Sequence, residues 1–123
     1  MEVKKIDKKK FIDDCWITWY ELDHGIIQYT CFSRHWTCPI GFVWGISAGR
    51  CFFVMNSYVD PYFRRRGVRT LLNKQIHEHN KIIQTQTGTK EGGKAFLKAS
   101  GYKHDRVRND WILVRSRKSQ KKR

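Results

Sequence analysis

Four apolar segments in the first half of the chain have the alternation and the residue types of β-strands. They are residues 16–21, 26–32, 40–46 and 51–59. β-branched and aromatic side chains, which suit a pleated and half-buried surface, are frequent in them. The short segments 22–25 and 47–50 contain glycine and polar residues, as hairpin turns do. The pattern predicts a meander of four strands.

The apolar period changes after Gly67. Apolar residues recur at Val68, Leu72 and Ile76, the spacing of a helix with one buried face, which predicts a helix over residues 67–80. The remaining pattern predicts a strand, a second helix and a closing hairpin, at residues 81–87, 90–100, and 102–107 with 111–115. The order ββββαβαββ predicts an α+β protein with two main helices.

The junction between the fourth strand and the first helix carries the strongest functional signal. Pro61 ends the strand because proline has no N–H group for a sheet ladder. The helix start after Gly67 has unpaired N–H groups and the positive end of the helix dipole, and arginines surround it at positions 64, 65, 66 and 69. The junction is therefore predicted to bind an anionic group such as a pyrophosphate.

This junction resembles the acyl-CoA-binding signature of the GNAT superfamily of N-acyltransferases. That signature is a strand, then Val-x-Pro, then Arg/Gln-x-x-Gly-x-Gly/Ala at a helix start. Val59 and Pro61 match its first part and residues 64–69 match its second, except that Arg69 stands where the family usually has Gly or Ala. A large side chain at position 69 must point away from the phosphates or contact them directly.

A second match lies further along the chain. Gly101-Tyr102 occupies the place of the glycine–aromatic pair that commonly follows the family's next helix, and Gly101 also suits a helix C-terminus because glycine adopts the left-handed conformation cheaply. The resemblance extends over roughly residues 40–115.

The resemblance implies a fold, a co-substrate and a reaction. The fold is a GNAT-like mixed, mostly antiparallel sheet in a single domain over residues 1–115, with the family's first helices missing or reduced to residues 5–14. The co-substrate is acetyl-CoA and the reaction is N-acetyl transfer. Backbone N–H groups of the turn would bind the pyrophosphate, and the matching positions are Arg64, Arg65, Arg66, Gly67, Val68 and Arg69.

The resemblance also implies where the reacting thioester lies. The strand ending at Val59 and the strand over residues 82–87 would separate at one end, so that the pantetheine arm binds between them as an added strand would. A backbone N–H group near Tyr58 or Val59 would donate a hydrogen bond to the thioester oxyanion.

The acid and the base are harder to assign. Many family members have a tyrosine four residues before the glycine of the glycine–aromatic pair, and here that position is Leu97, which cannot donate a proton. The alternatives for the acid are Tyr102, Tyr58, Ser100 and a water molecule. The strand over residues 51–59 has no carboxylate, which leaves weak candidates for the base: Asn56, Ser57, His77, His79, His104 and Glu91.

Charge indicates a polyanionic partner. The net charge of +14 on 123 residues exceeds what one co-substrate needs, and residues 116–123 form a basic tail by composition. Such segments bind polyanions by counterion release. The predicted partner is nucleic acid, a nucleoprotein or an acidic protein. Tryptophans could add stacking platforms, but the pattern predicts that Trp16, Trp19, Trp44 and Trp111 are mostly core.

The cysteines predict a reducing environment. Cys15, Cys31, Cys38 and Cys51 have no C-x-x-C pair and no framework spacing, so we expect free thiols in a cytoplasmic protein. Cys31, His35 and Cys38 lack a fourth ligand nearby, and no metal site is predicted. No run of 18 apolar residues exists, so no membrane span is expected.

Two alternatives to an active acetyltransferase remain open. The first is a catalytically inactive protein with the GNAT fold that uses its basic surface to bind nucleic acid. The second is a small basic α+β nucleic-acid-binding module, unrelated to the family, whose arginine turn binds phosphates. The acyl acceptor and the oligomeric state do not follow from the sequence.

Overall fold

The computed structural model describes residues 8–86 and 97–115. Two helices and seven strands have defined bounds: α1 Lys8–Asp13, β1 Cys15–Asp23, β2 Ile26–Ser33, β3 Gly41–Ala48, β4 Cys51–Val59, α2 Val68–His77, β5 Ile82–Gln86, β6 Lys103–Asp105 and β7 Asp110–Val114. A 3-10 turn, Pro61–Phe63, lies between β4 and α2. Residues 97–99 are also helical, whereas the rest of the helix predicted over residues 90–100 lies largely outside the described residues.

The strands form one sheet in the order β1-β2-β3-β4-β5-β7-β6. All neighbouring pairs are antiparallel except β4 and β5, which are parallel. The predicted α+β class and the mixed, mostly antiparallel sheet are therefore confirmed. The six-residue helix α1 corresponds to the reduced N-terminal helix expected over residues 5–14.

The core lies between one face of the sheet and the helices α1 and α2. Val68, Leu72 and Ile76 of α2 are buried, as the period of the sequence predicted, and they pack in one cluster with sheet residues such as Tyr29 and Phe52. Burying a Val, Leu or Ile side chain contributes about 1.5–3 kcal/mol. This face of α2 thus fixes the helix across the centre of the sheet.

Helix α1 anchors the junction after β4. The Phe11 ring of α1 stacks on the Phe63 ring at a centroid distance of 5.7 Å, and both side chains are fully buried. Phe63 ends the 3-10 turn, so this contact holds the segment that precedes the arginines against the core.

Strand β1 corrects one expectation from the sequence. Trp16 and Trp19 are 48% and 47% exposed, although both were predicted to be mostly core, whereas Trp111 is buried. β1 is an edge strand, and its alternating side chains meet a neighbouring strand on only one side. Edge strands expose side chains on both faces, which alternation alone does not reveal.

A β-bulge alters the course of β4. Gly45 of β3 pairs with Val54 and Trp44 pairs with Asn56, which leaves Met55 without a partner on β3. A Cβ atom at Gly45 would collide with the Phe53 carbonyl oxygen, so glycine is required there. Bulges bend a strand and increase its twist. β4 therefore changes direction midway, where its pairing with β5 ends.

No helix among the described residues is both long and apolar enough to cross a membrane.

Candidate active site

The arginine turn joins β4 to α2 through two residues with positive φ. Arg65 has φ +64° and Gly67 has φ +91°. Gly67 is also the N-cap of α2, and because it has no side chain it cannot cap the first N–H groups of the helix. A turn of this kind turns backbone N–H groups toward one concave point, where the helix dipole is also positive. The geometry suits an anion, and binding of an anion there stays a prediction.

The 3-10 turn before the arginines is held by local hydrogen bonds. The Asp60 carboxylate accepts a hydrogen bond from the Tyr62 N–H at 2.9 Å, and the Phe63 N–H donates to the Asp60 carbonyl at 2.8 Å. Pro61 occupies the first position of the turn, where its missing N–H costs nothing. The segment therefore enters the arginine turn from a fixed direction.

The first and third arginines lie on opposite sides of this turn. The Arg64 Nε donates to the Val59 carbonyl at 2.9 Å, and the Arg64 guanidinium lies 5.9 Å from the centroid of the Tyr58 ring. The Arg66 guanidinium lies 5.9 Å from the Phe11 centroid. Its Nε is buried and has no hydrogen-bond partner among the described residues. A buried N–H group of this kind favours an incoming acceptor, so the turn fits the pyrophosphate that the resemblance implies.

The requirement for glycine at position 67 has a different cause from the one expected at phosphate-binding turns. A Cβ atom there would lie 3.2 Å from Cγ1 of Ile12, on the side of α1. The substituent would press on the core, and the φ of +91° would be strained for any other residue. Gly67 therefore sets the shape of the turn through backbone conformation and packing against α1.

Arg69 lies where the family pattern has a small residue, and its side chain leaves the turn. Its Nη1 donates to the Ser57 hydroxyl at 2.8 Å and its Nε donates to the Asn73 side-chain carbonyl at 3.2 Å. The guanidinium therefore lies between α2 and β4. Of the two orientations considered from the sequence, the structure has the one directed away from the turn.

Strands β4 and β5 separate beyond their first residues. Among residues 8–86 and 97–115, only residues 51–53 of β4 pair with β5, at residues 82–84. Within this described part of the chain, residues 54–59 of β4 pair with β3 alone. The free edge of this part of β4 could accept an extended ligand as an additional strand. Ser57, in contact with Arg69, belongs to this part of β4, which does not pair with β5.

Tyr102 and Tyr58 lie on opposite faces of the sheet. Tyr102 is 4% exposed, and its hydroxyl donates to the Asn73 side-chain carbonyl at 3.4 Å beneath α2. Ser57 contacts α2 through Arg69, so the next residue, Tyr58, faces the other way. Tyr58 is 46% exposed and packs on the Phe42 ring at 6.1 Å. The two acid candidates therefore cannot act in the same place.

The environment of Tyr102 keeps its phenol protonated. Burial raises the pKa of the Tyr102 hydroxyl above its usual value, and the nearby Arg69 charge and the hydrogen bonds with Arg69 and Asn73 offset only part of this increase. A neutral phenol can donate a proton at neutral pH. Asn73 was missed in the sequence, although a polar residue on the buried face of a helix, four positions after Arg69, was a usable signal.

Ser100 and Leu97 lie at the end of the helical residues 97–99. The Tyr102 N–H donates to the Leu97 carbonyl at 2.9 Å and the Gly101 N–H donates to the Lys98 carbonyl at 3.1 Å, with φ +92° at Gly101. These bonds form the glycine-terminated helix end that the sequence predicted. Ser100 is half-buried in this turn and Leu97 is buried in the core.

The base candidates divide by position. His77 and His79 lie at the C-terminal end of α2, about 15 Å from the arginine turn for a helix of this length. His104 lies on the edge strand β6, where it contacts Asn109 and the Trp111 ring. Asn56 and Ser57 alone adjoin the free edge of β4, while Glu91 lies outside the described residues. The described residues hold no group of three potential metal ligands.

Comparison with solved structures identifies the fold. A candidate acetyltransferase of the GNAT family from Desulfovibrio desulfuricans superimposes with a TM-score of 0.58 at 12% identity, over 73% of this chain and 69% of that one. The candidate N-acetyltransferase YhhK from E. coli, bound to coenzyme A, superimposes with a TM-score of 0.63 at 17% identity, over 92% of this chain and 94% of that one.

A third structure gives a similar result. The PaiA N-acetyltransferase from Thermoplasma acidophilum, in complex with coenzyme A, superimposes with a TM-score of 0.56 at 18% identity. The match covers 72% of this chain and 58% of that one. The sequence matches no protein-family model and no curated protein. The comparison therefore rests on the course of the backbone.

Proposed function

Since this chain has the fold of the GNAT N-acetyltransferases, we propose that it transfers an acetyl group from acetyl-CoA to an amine on or beside a polyanionic partner. The observation that carries this proposal is the coincidence of the arginine turn at the start of α2 with a free edge on β4 that leads away from it. Two of the similar structures contain coenzyme A, which agrees with this use of the turn.

The turn and the strand would divide the binding of acetyl-CoA between them. The backbone over residues 64–69 binds the pyrophosphate, helped by the Nε of Arg66, which no group in the described part of the chain engages. The free edge of β4 binds the pantetheine arm, and a backbone N–H near Tyr58 or Val59 stabilises the oxyanion. When bound, acetyl-CoA supplies the activated acyl group.

We assign the role of general acid to Tyr102. Its raised pKa keeps the proton available, and the adjacent Arg69 charge favours an anionic sulfur beside the same cluster. Tyr58 and Ser100 remain the alternatives, but Tyr58 lies on the other face of the sheet. Asn73 acts as a positioning residue because it accepts the hydrogen bond of the Tyr102 hydroxyl.

The acceptor amine must arrive largely neutral. The free edge of β4 adjoins Asn56 and Ser57, neither of which is an effective base, and a free lysine with pKa about 10.4 is mostly protonated at neutral pH. A polyanionic partner that brings its amine to a cationic surface suits a protein with net charge +14. The four free thiols agree with a cytoplasmic location.

One observation favours a second function. Leu97, at the family's usual tyrosine position, is part of the hydrophobic core and cannot be replaced there by a donor without disturbing packing. A protein with the GNAT fold that binds acetyl-CoA or nucleic acid without turnover needs no proton donor at this position.

Thermal unfolding with increasing acetyl-CoA tests the proposal. A ligand at 100 times its Kd adds about 2.7 kcal/mol to the free energy of unfolding, which raises Tm by roughly 10 °C for a domain of this size. Chromatographic detection of coenzyme A release with polyamine, peptide and nucleoprotein acceptors then tests turnover. Binding with no turnover on any acceptor supports the second function, and no Tm shift at millimolar acetyl-CoA contradicts acetyl-CoA binding at the turn, with or without turnover.

A further inference from the structure

A second cationic site lies at the end of the sheet opposite the arginine turn. An open cleft of about 390 Å³ is lined by Gly49, Arg50, His79, Lys81 and Arg115. We call it the strand-end cleft. The turn and the cleft lie at the two ends of β4, so about 30 Å separates them for a strand of nine residues. The cleft therefore cannot bind the same pyrophosphate as the turn.

The three strong cations of the cleft come from three adjacent strands. Arg50 precedes β4, Lys81 precedes β5, and Arg115 follows β7. Backbone hydrogen bonds align them: the Ile82 N–H donates to the Arg50 carbonyl at 3.0 Å, and the Arg115 N–H donates to the Lys81 carbonyl at 2.8 Å. Neighbouring strands lie about 4.8 Å apart. Three like charges are therefore held side by side.

Such an arrangement costs free energy unless an anion is bound. Like charges at facing positions on neighbouring strands repel one another. Among the described residues that line the cleft, none is acidic. Glu78, the acidic residue of the adjoining turn, accepts a hydrogen bond from the Gln75 side chain at 3.4 Å. Within the described part of the cleft, this repulsion is therefore reduced only by solvent or by a bound anion.

Arg115 carries an additional unsatisfied donor. Its Nη1 donates to the His77 carbonyl at 2.8 Å, which fixes the guanidinium at the C-terminal end of α2. Its Nε is buried and has no hydrogen-bond partner within residues 8–86 and 97–115. A held guanidinium with a spare buried N–H favours an acceptor with several oxygens, such as a phosphate.

An exposed aromatic ring packs on His79, which also lines the cleft. The Trp19 ring lies 4.8 Å from the His79 ring, edge to face, and Trp19 is 47% exposed. The Tyr29 hydroxyl lies 3.3 Å from Nδ1 of His79 and holds this imidazole in place. Cations and an exposed indole linked through His79 are the elements of single-stranded nucleic-acid binding, in which phosphates contact the cations and a base stacks on the ring.

We infer that the strand-end cleft binds single-stranded nucleic acid, with backbone phosphates at Arg50, Lys81 and Arg115 and a base stacked on Trp19. The sequence after Arg115 continues with five further cations within residues 116–123, and their charge adds to the attraction of the chain for a polyanion. The inference rests on the proposed function only in identifying this nucleic acid as the polyanion that carries the acceptor amine. Binding of nucleic acid to the cleft does not require acetyl transfer.

The test compares two triple variants that remove the same charge. In the cleft variant, serine replaces Arg50, Lys81 and Arg115; in the control, serine replaces the exposed Lys98, Lys103 and Arg106. Binding of a fluorescein-labelled RNA strand of about 12 nucleotides is followed by anisotropy over a salt series. The cleft variant should bind at least tenfold more weakly, and the slope of log K against log salt should decrease by about 2, for three phosphates at about 0.7 each.

A second pair of variants tests stacking. Trp16 and Trp19 have similar exposure, lie on the same strand and face opposite sides of the sheet. Trp19→Ala should weaken RNA binding about tenfold, within the usual range for one stacked base, and Trp16→Ala should leave it unchanged. Because Arg115 also contacts His77, the double variant Arg50→Ser with Lys81→Ser is measured alongside the triple and should show about two thirds of its slope change.

Each other result overturns the inference. Equal losses in the two triple variants indicate general charge attraction without a site. Displacement of the RNA by polyglutamate as readily as by unlabelled RNA indicates an acidic protein as the ligand, and displacement by inorganic phosphate at low millimolar concentration indicates a small-anion site. Acetyl-CoA should still raise the Tm of the cleft variant, so failure of RNA binding is distinguishable from failure of the proposed acetyl transfer.

Discussion

The two ends of β4 are both cationic, yet they are built differently. At its C-terminal end the arginine turn uses backbone N–H groups, two residues with positive φ and the start of α2, all within one short segment. At its N-terminal end the strand-end cleft uses side chains from three strands that are distant in sequence. The first arrangement presents fixed dipoles to one compact anion, whereas the second spreads charges for an extended one. Net charge alone would not distinguish them.

The largest expected effect comes from replacing Gly67, and it tests whether the arginine turn and the strand-end cleft bind their ligands independently. In Gly67→Val a β-branched residue must adopt φ +91° and press on Ile12, at a cost of about 1–3 kcal/mol, and the turn should lose its shape. We expect the acetyl-CoA-dependent Tm shift to disappear while RNA binding remains. Thermal unfolding with and without acetyl-CoA measures the first effect, and anisotropy measures the second.

Gly49→Val is the matched control at the other end of β4. Gly49 has φ +62°, and a Cβ atom there would meet no atom within 4 Å, so the substitution carries backbone strain without crowding. It should reduce stability and keep the acetyl-CoA response. If Gly67→Val folds and still binds acetyl-CoA with unchanged affinity, the turn is not the pyrophosphate site.

The next effect concerns turnover. Tyr102→Phe should lower the rate of acetyl transfer at saturating acetyl-CoA by at least tenfold, since general acid assistance is usually worth about 10²–10⁴, and should leave acetyl-CoA affinity unchanged. Asn73→Ala should lower it less, and the conservative Asn73→Asp should recover part of the rate, because the carboxylate can still accept the hydroxyl proton.

Tyr58→Phe and Ser100→Ala are the comparison variants for this rate. Tyr58 lies on the exposed face with Arg64 over its ring, and phenylalanine preserves that contact. Both variants should retain turnover. If Tyr58→Phe loses rate and Tyr102→Phe does not, the general acid is Tyr58, on the other face of the sheet.

These two sites also show what the sequence could reveal. The arginine turn, the strands around it and the glycine at the end of residues 97–99 are encoded by adjacent residues, and local patterns predicted them. The cleft requires knowledge that β4, β5 and β7 are neighbours, which no local pattern carries. The direction of Arg69 and the role of Asn73 depend on α2 lying across β4, and the exposure of Trp16 and Trp19 depends on β1 being at the edge.

A smaller expected effect measures how much the basic tail, residues 116–123, contributes to RNA binding. Removing residues 116–123 deletes Arg117, Lys118, Lys121, Lys122 and Arg123. RNA affinity should decrease and the salt slope should decrease by at most about 3.5, for five contacts at about 0.7 each, with acetyl-CoA binding nearly unchanged. If the cleft contributes independently, the cleft variant should weaken RNA binding further in the shortened chain. No detectable RNA binding by the full chain at low salt would contradict the proposal that the acceptor amine lies on or beside a polyanion.

The smallest effect is a pH dependence at the C-terminal end of α2. Burial lowers the pKa of His77 below 6.5, and its Nε2 lies 3.3 Å from the Leu113 carbonyl. Below pH 6.5 the unfolded chain therefore binds a proton that the folded chain does not, and stability should decrease as the pH falls from about 6.5 toward the folded pKa. Urea unfolding at pH 7.5 and pH 5.5 measures the difference, and His77→Gln should reduce it. An unchanged difference in the variant would assign the pH dependence to other groups.

The most direct measurement of the central claim is an amide NMR titration of one ¹⁵N-labelled sample with acetyl-CoA and of another with single-stranded RNA. The two-site account predicts that acetyl-CoA shifts the amide signals of residues 54–59 and 65–70 and leaves those of Gly49, Lys81 and Arg115 unchanged. RNA should shift the second group together with the Trp19 indole signal and should leave the turn largely unaffected. Acetyl-CoA shifts confined to the strand-end cleft, or absent at the turn, would contradict it.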